Sequence, residues 1–264
     1  MKRLLIASLL LVSSLVSLPA LAKMQAKPVE WTLGTQAFSG VLVYDDASSA
    51  KRPGLLMVPD WKGVTDAATA TAEKIAGTQY VILVADVYGK GVRPKDDAAA
   101  MAQVKQLYAD RSVLRQRASK SLEVLKTQAG HAPLDPARVG AIGFCFGGAT
   151  VLELARDGAD IAGVVTFHGG LSTSMPAQRG AVKASLLVLN GADDTNTTPE
   201  DIAGFKKEMD AAQVDWQFVD FSGAVHCFAL ETANSPPNCL YNPHVAKRAF
   251  VMMNNFFGER FAAK

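Results

Sequence analysis

Cys145 stands in the run AIGFCFGG, residues 141–148, with Gly143 and Gly147 two positions to either side. A free cysteine is often only a small buried hydrophobe, but this spacing points to chemistry. Gly143-Phe144-Cys145-Phe146-Gly147 fits the G-x-S-x-G nucleophile turn with a thiol in place of the hydroxyl, provided a strand precedes it and a helix follows. Near the positive end of that helix a thiolate is favoured. A nucleophile needs a base and a group to orient the base. Asp193 and Asp194 lie in GADDTNTTPE after the apolar run SLLVLN, and His226 lies in SGAVHCF after WQFVDF. Alone, each reads as an ordinary turn cap or loop histidine. Together, in the order nucleophile, acid, histidine and each at a strand end, they read as one acyl-transfer site. The oxyanion formed on attack needs preorganised donors. The N–H of Phe146 is the first expected, and the N–H of Trp61, in the loop after GLLMV, the second.

The elements that must position these groups alternate along the chain. Strands are expected at 38–44, 54–58, 80–87, 139–144, 161–167, 185–190 and 216–221, and helices at 65–76, 95–128, 147–156, 199–212 and 242–257. Runs such as GLLMV, YVILVADV and SLLVLN are continuously apolar, as strands covered on both faces must be. This pattern predicts an α/β fold, a mainly parallel sheet with helices on both faces. With the order nucleophile, acid, histidine it is the α/β-hydrolase topology. The 264 residues, 49% hydrophobic, show no internal repeat or linker, so residues 23–264 are expected to form one domain.

Joined together, PDWKGV, VADVYG, GFCFGG, GADD and GAVHCF resemble the dienelactone hydrolase family across most of the chain. The resemblance implies hydrolysis of an ester or lactone through a thioester on Cys145, with Asp194 and His226 completing a triad. Asp194 is preferred to Asp193 because the family's acid is the third residue after the loop glycine, here Gly191. The family also places a carboxylate, usually glutamate, where Asp60 stands, in contact with the resting thiol. Asp60 is shorter, and is either that thiol-modulating group or a turn residue. Tyr88 matches a family tyrosine near the site, and Arg93 is expected as a carboxylate binder, both as substrate-binding residues. His168 either lines the site or is structural.

The first 22 residues, MKRLLIASLLLVSSLVSLPALA, join a basic start to an apolar run and end in Ala20-Leu21-Ala22. They read as a secretory signal peptide cut after Ala22. Loss of Lys2 and Arg3 lowers the basic count from 27 to 25, against 25 acidic residues. This balance gives no sign of nucleic-acid binding. A monomer in the periplasm is expected, off the membrane once the signal is cut, with a small-molecule ester or lactone as its partner. Once Cys145 is assigned to catalysis, Cys227 and Cys239 are left as a possible disulfide. The four histidines lack ligand spacing, and no phosphate loop or dinucleotide fingerprint is present, so neither metal nor cofactor is expected. Three rival readings stand beside the hydrolase: a non-catalytic ligand-binding protein, an acyltransferase using the same triad, and a thiol redox protein. The last lacks a Cys-x-x-Cys pair.

Overall fold

The computed structural model describes residues 23–262. The expected signal peptide, residues 1–22, lies outside them. Ten strands and six α-helices follow in the order β1 (Met24–Leu33), β2 (Gln36–Asp45), β3 (Arg52–Val58), α1 (Asp66–Ala76), β4 (Val81–Val84), α2 (Asp97–Ala109), α3 (Arg111–Thr127), β5 (Leu134–Phe144), α4 (Phe146–Arg156), β6 (Gly163–Phe167), β7 (Ser185–Gly191), α5 (Pro199–Ala212), β8 (Trp216–Phe221), β9 (Asn234–Ser235), β10 (Cys239–Leu240) and α6 (Pro243–Ala262). Eight strands form one sheet in the order β1-β2-β4-β3-β5-β6-β7-β8. Strands β3 to β8 run parallel, and β1 and β2 are antiparallel additions at one edge.

The apolar strands feed two cores at once, because successive side chains on a strand point to opposite faces. Leu56, Val58, Ala141, Val164, Leu186 and Val188 enter one core, closed by α2, α3, α4 and α5. Their neighbours Leu55, Met57, Ile142, Val165, Leu187 and Leu189 enter the other, closed by α1 and α6. A strand with two buried faces has no room for a polar alternation.

The structure differs from the sequence expectations at identifiable points. Strand β1 was not expected. Its residues MQAKPVEWTL mix charge and proline with apolar groups, as an edge strand tolerates. Lys23 extends this hairpin, donating its N–H to Asp46 Oδ1 at 3.0 Å and accepting from Asp46 N at 3.2 Å. The single helix expected over 95–128 is two. Asp110 ends α2 and turns its carboxylate onto the N–H groups of Ser112 and Val113, capping α3.

Candidate active site

The turn between β5 and α4 puts Cys145 at φ 52° and ψ −116°, in a region that side chains seldom occupy. The flanking glycines make this turn possible by close approach. A Cβ on Gly147 would sit 2.0 Å from Val58 O, and one on Gly143 would sit 2.1 Å from Gly147 O. The Cys145 N–H is fixed to Phe167 O at 3.0 Å, so the thiol stands at the C-terminal edge of the sheet, where β7 and β8 also end.

His226 arrives from the loop after β8, and its two ring nitrogens are both engaged. Nε2 lies 3.0 Å from Cys145 Sγ and Nδ1 lies 2.7 Å from Asp194 Oδ2. Burial opposes a charge on this ring, but the hydrogen bonds to Asp194 and Cys145 outweigh it and raise the imidazole to about 10. Asp194 is buried after β7, and its second oxygen accepts the Asn196 N–H at 2.9 Å. Asp193 beside it is exposed. The geometry therefore selects the second of the two neighbouring aspartates.

Trp61 and Phe146 border the same cavity as Cys145 and His226, a space of about 640 Å³. Among the described residues, neither backbone N–H has a protein acceptor. Asp60 borders the cavity too, but without touching the sulfur. Its Oδ1 accepts the Lys62 N–H at 2.8 Å and its carbonyl the Gly63 N–H at 2.9 Å. Burial raises the Asp60 carboxyl above its ordinary range, against the lowering effects of the Lys62 N–H, the Lys62 charge and His226. Asp60 is thus a turn residue whose carboxyl belongs to a residue bordering the site.

Tyr88 and Arg93 do not take the substrate-binding positions expected of them. Tyr88 is buried, donates its hydroxyl to Trp61 O at 2.9 Å and stacks on Phe146 at 5.5 Å. It braces both residues whose N–H groups are expected as oxyanion donors. Arg93 is held behind the site by Ser39 O at 2.8 Å, Val92 O at 2.9 Å, Gly89 O at 3.3 Å and Asp86 at 3.4 Å. Its guanidinium organises a loop, because buried Asp86 gathers it together with the N–H groups of Ser39, Tyr88 and Gly89. His168 is the opposite of exposed: it is 1 % accessible, at φ 42°, with neither ring nitrogen hydrogen-bonded. Its ring meets that of His226 edge-on at 4.9 Å, and burial keeps it neutral, well below the usual histidine range.

Cys227 and Cys239 are joined, with their Cα atoms 5.0 Å apart. The bridge closes the loop that follows His226, and Leu240 N donates to His226 O at 3.1 Å. Residues of this loop and of α2, among them Leu230, Met101, Val104 and Tyr108, wall the cavity. No sequence motif marks these positions, since they are ordinary apolar faces of a helix and a loop.

An eight-stranded, mostly parallel sheet with helices on both faces and these three linked side chains at its C-terminal edge defines an α/β-hydrolase fold. The dienelactone hydrolase family model matches residues 38–261, and the chain belongs to that family. The solved structure m3DLH is 34% identical, with a TM-score of 0.84 over 90% of this chain and 99% of its own. A dienelactone hydrolase-like promiscuous phosphotriesterase from metagenomic libraries is 36% identical, with a TM-score of 0.83 over 89% of this chain and 98% of its own. An uncharacterized protein of Caenorhabditis elegans is 31% identical over 155 residues, 56% of this chain and 95% of its own.

Proposed function

We propose that this chain is an exported cysteine hydrolase that cleaves a carboxylic ester or lactone through a thioester on Cys145. The observation that carries this reading is the unbroken path from Sγ through His226 to Asp194, on a turn that holds the thiol in a strained, accessible position. The imidazolium beside the sulfur favours the thiolate as nucleophile. The thiolate attacks the carbonyl carbon, and the new oxyanion accepts from the N–H groups of Phe146 and Trp61. As the tetrahedral adduct collapses, His226 Nε2 gives its proton to the leaving alkoxide, leaving a thioester and a neutral imidazole. That imidazole takes a proton from water as the water attacks the thioester, and the thiolate–imidazolium pair is restored with release of the acid. Asp194 keeps Nδ1 protonated and the ring in line throughout.

Incubation with p-nitrophenyl esters and with cis-dienelactone, followed by mass spectrometry, tests the reading. An acyl adduct on Cys145 and a loss of turnover of about 10³-fold or more in Cys145→Ala are expected. A folded Cys145→Ala variant that keeps a tenth of the activity overturns the reading. Absence of both turnover and adduct favours a ligand-binding protein, and transfer of the acyl group to an added alcohol in preference to water favours an acyltransferase. A second substrate class is supported by the phosphotriesterase at 36% identity: an uncharged aryl phosphotriester belongs in the same assay.

Asp60 is proposed to modulate the thiol through its charge. Asp60→Asn keeps the oxygen that accepts the Lys62 N–H and removes an anion from the cavity. Alkylation of Cys145 by iodoacetamide at neutral pH should therefore become faster. An unchanged rate across pH 5 to 9 reduces Asp60 to its turn. Export is proposed from residues 1–22 and is read directly by the N-terminal sequence of the secreted product, expected to begin at Lys23.

A further inference from the structure

A substrate that carries its own carboxylate needs a cation near the point of attack, and of the side-chain ammonium and guanidinium groups here only Lys105, out at the rim, borders the cavity without a partner. Three guanidinium groups lie close to the cavity, and none borders it. Arg93 is bound by Ser39 O and Asp86. Arg117 donates to the carbonyls of Val87 and Tyr88 at 2.8 and 3.1 Å. Arg111 lies 3.7 Å over the Tyr108 ring and faces buried Glu153 at 3.7 Å. Lys62 does border the cavity, but its ammonium is paired with Asp97 and rests 4.9 Å over the Trp61 ring. Lys105 is exposed at the rim, where an ion pair gains little against water. On the anionic side, Asp60 and Asp97 border the same space. Most of what remains near Cys145 is uncharged: apolar at Trp61, Tyr108, Val104 and Leu230, neutral and polar at Asn196 and Thr232.

Resting on the thioester reading above, we infer that the site takes an uncharged ester with an aromatic or similarly bulky apolar group, and discriminates against carboxylated esters and lactones. The volume of about 640 Å³ is within the range of sites that enclose drug-sized ligands. An apolar group there leaves water for a wall that includes Trp61, Tyr108, Val104 and Leu230. A carboxylate in the same place leaves water for Asp60, a Lys62–Asp97 pair already closed, and a Lys105 that stands out in solvent at the rim. Burying such a charge without a partner is costly.

A matched pair of esters tests this with the intact exported chain. The butyrate ester of 4-hydroxyphenylacetic acid and that of its primary amide differ in charge, while the methylene insulates the leaving group. The amide is expected to be hydrolysed with a kcat/KM at least about tenfold higher. Equal rates, or a preference for the acid, overturn the inference. Met101→Arg adds a cation to the wall at an exposed position and should narrow the ratio, whereas Lys105→Gln should leave it within about twofold. A ratio unmoved by Met101→Arg also overturns the inference. Mass spectrometry of Cys145 with each ester separates the two levels of failure. Acylation by both at equal rates leaves the thioester reading standing and removes only the selectivity. Hydrolysis with no acyl-Cys145 from either ester removes both.

Discussion

In the proposed reaction the imidazole of His226 holds a proton at rest and surrenders it to the leaving group, so its ionisation would set the working pH. Raised to about 10, it gives kcat/KM an alkaline limb near that pH. The sign for stability is the same: a folded value above the ordinary 6.5 contributes stability in full below 6.5, and loses it as pH rises through about 10. Asp194→Asn removes an acceptor that sustains the charge. It should move the alkaline limb of the pH–rate profile to lower pH and reduce kcat by about 10²- to 10⁴-fold. A limb that stays near 10 would show that Asp194 does not sustain it. Tyr88 acts through others: Tyr88→Phe frees Trp61 O while keeping the stack on Phe146. A fall of about tenfold in kcat with KM nearly unchanged is expected. An equal change in both parameters, or a lowered melting temperature alone, would make Tyr88 merely a packing residue. The linked residues were legible because each follows an apolar strand in a fixed order. Arg93 misled for the opposite reason: sequence proximity says nothing of direction, and Asp86 turns its guanidinium away.

Among the elements, the loop between His226 and β10 carries the most consequence per residue. Its bridge spans 12 residues of sequence, for which the chain-entropy model gives about 3 kcal/mol. Replacing Cys227 and Cys239 together by serine should lower unfolding stability by roughly that amount in urea titration. It should also cost activity several-fold, with Cys145 still a free thiol, because His226 O is tied to Leu240 just beyond the bridge. Alkylation of the wild-type chain, purified without reductant, under denaturing conditions should modify one cysteine. Three modified cysteines would refute the bridge. The break at Asp110 shows where reading by pattern fails. Helical periodicity runs through residues 95–128 without a glycine or proline to stop it, yet one carboxylate caps a new helix. That break turns α2 toward the cavity mouth with Met101, Val104 and Tyr108, wall residues that carry no signature in a helix pattern.

Across the whole molecule the two cores account for most of what the sequence revealed, since a strand buried on both faces announces itself as an unbroken apolar run. The charged cluster between α3, α4 and α5 was not visible in this way. Glu153, in the run ATVLELARDG, looks like the exposed face of a helix, but it is fully buried. Arg115 meets it at 2.8 Å and Arg156 at 3.3 Å, and Arg156 also binds Glu208 at 2.8 Å. These side chains are scattered along the chain from Arg115 to Glu208, and only the packed fold brings them together. Glu153→Gln leaves the guanidinium groups of Arg111, Arg115 and Arg156 short of an anion, and should cost about 3–5 kcal/mol in equilibrium unfolding. The folded fraction should keep its kcat, since the cluster does not border the cavity. A cost under about 1 kcal/mol would mean that the arginines find other partners.

The hydrogen bond from the Lys23 N–H to Asp46 would give the cut proposed after Ala22 a structural consequence beyond release. In the uncut precursor that nitrogen is a neutral amide. The proposed cut after Ala22 would turn it into an ammonium already resting against a carboxylate, so trimming would create an ion pair at the open end of the β1–β2 hairpin. The mature chain would thus be clasped at the very residue where the precursor was severed.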